Sequence, residues 1–429
     1  MMTSKSTANR WVIVTVSFVG LFLVGGVTYT PGIFYVEWLD SFGEGSAITS
    51  IIPSLNLGLY NITAAVGSIL VSRFGFKWVL ICAGLLSSAG MVVSSFVHDA
   101  YLLMFTFGIA TGVGFGVCFM AFGLAPAILF PEKQSLYTGL AMSGLGCGTV
   151  IMPIIMEVTI EIYGSWRAPM LIIGGLMLNI CACGALLPAG RPRTDHPPDK
   201  PKSIDQYEDD KRSVFHLEMF TSVSYLLLIL HGILFATGLS VMYVHIVALV
   251  QYQTHTTKFM ASILMTCFGI ARFLGTIGHG FIGQLKSVNI VIQCIVAYII
   301  CAVCQILMPF ITSYPAMLAV TCIAAFMFGP YGSINIPMTS NIVGIERISH
   351  GYGYFCVGCG LASIAGAPIA GVLFTVTDQY STSFYFTAAV VLMSALVLLP
   401  VCWNDFKKRR FPSKLEKVEA SDVLILEGI

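Results

Sequence analysis

The sequence predicts an all-α membrane protein, with twelve transmembrane helices in two pseudo-symmetric six-helix halves. Three observations carry that prediction. The 429 residues are 56% hydrophobic and only 10% charged, whereas soluble domains are about one quarter charged. Several apolar blocks exceed the roughly 18 to 20 residues that a helix needs to cross a bilayer. A single long polar segment, Gly190 to Val214, rich in proline and mixed charge, divides six such blocks from six more. An outer-membrane barrel would instead show alternating segments of about ten residues, and none occurs.

Taken in order, the spans are expected near residues 11–35, 47–71, 77–97, 101–129, 136–157 and 167–189, then 219–248, 258–283, 287–307, 313–338, 349–375 and 381–403. The first is too long for the apolar core of a cleaved signal and reads as a span. Residues 1–10 form a short N-terminus, 190–218 a linker and 404–429 a tail. Small residues recur inside the spans, as in "GIATGVGFGVCF" (Gly108 to Phe119) and "GCGLASIAGAPIAG" (Gly358 to Gly371). Such spacing lets helices approach closely in lipid.

Charge sets the topology. With the N-terminus inside, all but three of the 22 Lys and Arg residues fall in inner segments, as the positive-inside rule requires. Arg167 and Lys258 lie outside and Arg272 lies within a span. The expected location is the plasma membrane, with both termini cytoplasmic. Glu37, Asp40, Glu44, Asp99, Glu157, Glu161 and Asp378 fall in outer loops or at outer span ends. No carboxylate is then expected at mid-membrane depth.

Other classes find little support. A net charge of +1 implies no nucleic-acid partner. Cys301-x-x-Cys304 and Cys356-x-x-Cys359 have metal-like spacing, but no His or carboxylate accompanies them, so they read as packing residues. No nucleophile triad, metal cluster or nucleotide loop is visible, so neither an enzyme nor a cofactor is expected. "NIT" (Asn61 to Thr63) matches a glycosylation sequon but lies inside a span.

Arg272 is the exception in "TCFGIARFLGTIGHGFIG" (Thr266 to Gly283). Its guanidinium stays charged at any ordinary pH. About fourteen residues separate it from Lys258 and from Lys286, too deep for easy snorkelling. A central arginine costs around 2.5 to 3.5 kcal/mol on insertion scales. With no internal acid in reach, the sequence points to an anionic solute as partner, against a structural role on backbone carbonyls. Tyr29 and Phe34 around Pro31, Asn61 beside Tyr60, Ser143 and Asn335 are further candidates to line the cavity. Interhelical hydrogen bonding or packing is the competing role for each. His245 is the candidate proton carrier, against a neutral packed imidazole. His231 and His279 have no stronger claim.

Motifs sharpen this. "GSILVSRFGFKW" (Gly67 to Trp78) resembles the cytoplasmic signature of the major facilitator superfamily. Gly67, Arg73, Gly75 and Lys77 match, while Ser72 stands where an aspartate is expected. A degenerate copy, "GTIGHGFIGQLK" (Gly275 to Lys286), occupies the equivalent place in the second half. "LYTGLAMSGLGCG" (Leu136 to Gly148), "YGSWRAPMLIIGGLMLNICACGALL" (Tyr163 to Leu187), "GIARFLG" (Gly269 to Gly275) and the stretch Gly344 to Phe386 resemble the monocarboxylate transporter family within that superfamily. The resemblance spans residues 10 to 405. It implies the major facilitator fold and transport of a small monocarboxylate, or a related carboxylate or zwitterion, by alternating access.

The departures bear on mechanism. Proton-coupled members are expected to carry a lysine after the first-span proline, where this chain has Gly32. They also carry an aspartate one turn before the span-8 arginine, where it has Phe268. Without that titratable pair, facilitated diffusion or exchange is expected, rather than proton symport. A non-transporting sensor of the same fold, or a symporter using another titratable group, remains the alternative. The expected partners are the solute and the bilayer. The sequence leaves any accessory single-span protein unspecified.

Overall fold

The computed structural model describes residues 4–130, 134–188, 217–285, 288–344 and 347–410. Residues 190–216 of the linker, most of the tail, Lys133 and Lys286 lie outside the described residues. Twelve helices are long and apolar enough to cross a membrane. They are α1 (Arg10–Phe42), α2 (Ser46–Phe74), α3 (Phe76–Ser94), α4 (Ala100–Pro126), α5 (Tyr137–Tyr163), α6 (Arg167–Leu186), α7 (Val223–Thr254), α8 (Lys258–Gly283), α9 (Ile290–Phe310), α10 (Tyr314–Val343), α11 (His350–Thr377) and α12 (Tyr380–Trp403). Among the described residues there is no strand.

Every expected span is present, with altered ends. The helix of α1 runs seven residues past the expected boundary at 35, so Glu37 and Asp40 sit on its last turns. Gly43, at φ 66°, then stops it, a left-handed cap that glycine adopts without penalty. Glu157 and Glu161 likewise lie on the final turns of α5. A short 3-10 turn (Leu217–Thr221) precedes α7, and α7 runs on to Thr254 before His255, at φ 50°, ends it. The helix of α12 continues to Arg410.

Two internal irregularities matter. In α1 the helix stops at Thr28 and restarts at Pro31. Proline cannot donate to the carbonyl four residues back and its ring crowds that carbonyl. The Thr30 hydroxyl donates to the Gly26 carbonyl, the group one residue before the Val27 carbonyl that proline leaves without its helical donor. In α4, Met104–Thr111 is wound as a π-helix. There the Asn56 amide of α2 donates to the Phe107 carbonyl at 3.0 Å, supporting backbone that the wider winding displaces.

The halves meet along three helix pairs. Helix α2 packs on α11, where a Cβ on Gly58 would lie 2.7 Å from the Gly360 carbonyl oxygen. Helix α5 packs on α8, where a Cβ on Gly269 would lie 2.8 Å from the Thr149 carbonyl oxygen. The second segment of α1 packs on α7 through Gly32. Where hydrocarbon gives no hydrophobic drive between helices, such small-residue contacts supply the packing.

Since consecutive spans alternate in direction, Glu37, Asp40, Asp99, Arg167, Lys258 and Asp378 share one end of the bundle. Arg73 and Lys77 stand at the other. At the first end, Lys258 Nζ binds Glu37 Oε1 at 2.6 Å and Asp40 Oδ2 at 2.8 Å, tying the second half to the first.

Candidate functional site

The break in α1 places Tyr29 opposite α7 and α8. The Arg272 guanidinium lies over the Tyr29 ring, 4.7 Å from its centroid, and over the Tyr243 ring at 5.3 Å. Tyr29 comes from the first half; Arg272 and Tyr243 come from the second. The two rings are 5.4 Å apart. The Tyr29 hydroxyl donates to Tyr60 at 3.2 Å, and Tyr60 is close enough to Arg272 to interact electrostatically. Tyr352 of α11 is within similar reach of Tyr29 and Tyr60. Three tyrosines from α1, α2 and α7 therefore surround one cation at the seam between the halves, with Tyr352 of α11 beside Tyr29 and Tyr60.

No described carboxylate forms an ion pair with Arg272; Lys258 and Arg347 make the described salt bridges. The charge is held by ring faces, an attraction worth roughly 0.5 to 2 kcal/mol per desolvated contact. That offsets part of the cost of burying a guanidinium; one donor is engaged by the Tyr29 side chain, and the others remain for a ligand. The buried Tyr243 hydroxyl has no hydrogen-bond partner among the described residues. It adds a neutral donor beside the cation. Chemically the site can hold a carboxylate on Arg272 and present aromatic surface to the remainder of the molecule.

The positions of the lysine and aspartate expected of proton-coupled members are filled differently. A Cβ on Gly32 would lie 2.8 Å from the Tyr243 carbonyl oxygen and 3.1 Å from Val247. Helix α7 occupies the space that a lysine side chain would need. Phe268 is buried with its ring edge-on to Tyr243 at 5.8 Å. It extends the aromatic wall rather than contributing charge.

The remaining candidates fall elsewhere. Phe34 is fully buried, stacked on Trp38 at 5.5 Å and edge-on to Phe107. The Asn61 amide donates to Leu57 and the Ser143 hydroxyl to Leu140, each within its own helix. Asn335 is buried, donating to the Tyr331 carbonyl, and its side chain reaches His231 of α7. His245 Nε2 donates to the Ala367 carbonyl at 2.9 Å, so its proton is on Nε2. Its ring packs on Tyr35 and Tyr380, and none of these contacts involves Arg272.

In the basic turn, Gly67 faces Val117 and Met120 of α4, where a Cβ would stand 3.0 Å from Met120. Gly75, at φ 79°, makes the turn, and its N–H closes on the Val71 carbonyl at 2.8 Å. Arg73 and Lys77 lie over the adjoining Phe74 and Trp78 rings.

Tyr243 and Tyr352 are the site residues that the sequence does not single out. Tyr243 stands in a run of α7 in which every residue from Gly238 to Val250 is buried, so no contrast in polarity marks it.

Comparison with known proteins agrees with this architecture. The model of the Major Facilitator Superfamily matches residues 17–355 and 233–427. Monocarboxylate transporter 9 of Gallus gallus is 28% identical, over 92% of this chain and 93% of its own. Monocarboxylate transporter 12 of Homo sapiens is also 28% identical, over 90% of this chain and 79% of its own. Among solved structures, a bacterial homolog of the human lysosomal transporter Spinster, in an inward-facing and occupied conformation, superposes with a TM-score of 0.73. It is 11% identical and covers 96% of this chain and 100% of its own. The nucleoside transporter NupG superposes at 0.71 with 13% identity, over 91% and 99% of the two chains. These structural likenesses establish the fold. The chain is a membrane transporter of the Major Facilitator Superfamily and belongs, within it, to the monocarboxylate transporter family.

Proposed function

We propose that this carrier moves a small carboxylate or zwitterion across the plasma membrane by alternating access, with Arg272 as the counter-charge for the carboxylate. The observation that carries this reading is an intramembrane guanidinium at the seam between the halves, packed on tyrosine rings and joined to no described carboxylate. A bidentate carboxylate supplies what those rings cannot, paired charge-assisted hydrogen bonds in a planar fork. Tyr29, Tyr60 and Tyr243 contact the rest of the solute.

Because Tyr29 belongs to one half and Arg272 to the other, a bound solute touches both. It therefore favours the conformation in which they close on it. The lysine–aspartate proton route is absent, and Gly32 has no room for its cation. Facilitated diffusion or exchange follows. The uneven distribution of Lys and Arg orients both termini to the cytoplasm.

Counterflow into proteoliposomes, run on a panel of small carboxylates and their matched amides, tests the reading. The acids are expected to exchange and the amides to fail, with uptake nearly level between pH 6 and 7.5. Equal uptake of acids and amides would remove Arg272 from substrate recognition. A steep rise on acidification would show a proton route and direct attention to His245.

A further inference from the structure

A cavity lies two helical turns along α8 from Arg272, between the far end of α8, the start of α9 and α10. It encloses ≈ 410 Å³ and is lined by His279 and Ile282 of α8, by Gln293, Val296 and Ile300 among the α9 residues, and by Met327 of α10. Its flank opens where Ile282, Ile292 and Val296 are 39%, 43% and 50% exposed. These residues lie within membrane spans, so the cavity opens sideways into hydrocarbon.

The inner end is polar in a specific way. His279 is 6% exposed and Gln293 9%. The Gln293 amide nitrogen contacts both the His279 carbonyl and His279 Nδ1, each at 2.9 Å. A carbonyl only accepts, so this nitrogen must be the donating NH2. It follows that Nδ1 accepts and the imidazole proton resides on Nε2. His279 Nε2–H and Gln293 Oε1 are both buried without a partner among the described residues. The cavity thus ends in one unpaired donor beside one unpaired acceptor.

We infer that this is a binding site for a compact membrane alcohol of the sterol type, entering from the bilayer with its hydroxyl on His279 and Gln293. A hydroxyl accepts from Nε2–H and donates to Oε1 at once; a ketone, an ether or an anion satisfies only one of them. Depth agrees with this. His279 is one helical turn from the end of α8 at Gly283, where the hydroxyl of a membrane alcohol sits near the interface. The α9 stripe from Asn289 to Ile300 rises about 16 Å at 1.5 Å per residue, close to half of a roughly 30 Å hydrocarbon core. Apart from Asn289, whose side chain caps the start of α9, the rest of the lining is apolar, and its volume suits one compact body rather than a two-chain glyceride.

The test uses the full-length protein in phosphatidylcholine nanodiscs with a diazirine-bearing cholesterol probe, mapping the labelled peptides by mass spectrometry. Label is expected on α8, α9 and α10 around the cavity and is displaced by cholesterol. The 3-ketone and the 3-methyl ether, each losing one of the two hydrogen bonds, need about tenfold more to displace it. Gln293→Leu weakens labelling. Val296→Trp, on the exposed flank where folding is undisturbed, blocks entry without touching the polar pair. The inference is overturned if label falls elsewhere, or if ketone and alcohol compete equally. It also fails if dioleoylglycerol displaces the probe as well as cholesterol does, or if Val296→Trp labels like the parent protein.

Discussion

Replacing Lys258 with methionine keeps the length and apolar stem of the side chain and removes only its charge. That charge holds two carboxylates of α1 across the boundary between the halves, at 2.6 and 2.8 Å. Exposed ion pairs contribute roughly 0.2 to 1 kcal/mol each. Asp40 is 63% exposed and belongs at the low end; Glu37, at 14%, belongs at the top. The pair therefore stabilises closure at this end by about 1 to 1.5 kcal/mol, a population shift of about five- to tenfold.

Single-molecule energy transfer reads the result, with dyes at Glu44 and Gln379, exposed positions in opposite halves at this same end. The open population should rise by that factor in Lys258→Met. It should not rise further when Lys258→Met is added to Glu37→Gln with Asp40→Asn. High salt should lower the difference by screening. An unchanged distance distribution, or full additivity of the three substitutions, would refute a gate built on Lys258.

Two more expectations concern the central seam. Gly32→Lys should not install proton-driven uptake: its side chain must displace the α7 backbone at Tyr243 and Val244, and loss of folded carrier at the cell surface should precede any change in pH dependence. Tyr29→Phe keeps the ring under Arg272 and should alter half-saturation less than threefold, whereas Tyr29→Leu removes a contact worth roughly 0.5 to 2 kcal/mol and should weaken binding by more. Equal effects of the two substitutions in a binding isotherm would show that the ring face does not matter.

The spans, the two halves and the lone intramembrane arginine are legible because each is a local property of composition. Hydropathy over about twenty residues marks a span whatever it packs against. A charge in such a window stands out unaided. Proline at position 31 likewise announces a break, though not where the flanking rings go. Tyr29 turns toward Arg272 while Phe34, past the break, turns onto Trp38 and Phe107.

Pairings across the halves leave no local trace. Tyr243 approaches Tyr29 from more than two hundred residues away, and Lys258 finds Glu37 over a similar separation. Polar residues such as Asn61 and Ser143 are ambiguous for another reason. A side chain that bonds a carbonyl in its own helix looks, in sequence, the same as one that lines a cavity. Gly32 is the reverse case, where the absence of a side chain reflects the close approach of α7.

The most direct measurement is counterflow of a transported carboxylate by Arg272→Gln, with surface-exposed protein quantified in parallel. Losing a charge-assisted bidentate pair costs roughly 3 to 5 kcal/mol in a partly buried site. Uptake at sub-saturating solute should therefore fall by at least a hundredfold while the amount of folded carrier is maintained. Arg272→Lys, which keeps the charge but not the fork, should recover only a part. Undiminished uptake by Arg272→Gln would contradict the assignment of this guanidinium as the solute's counter-charge.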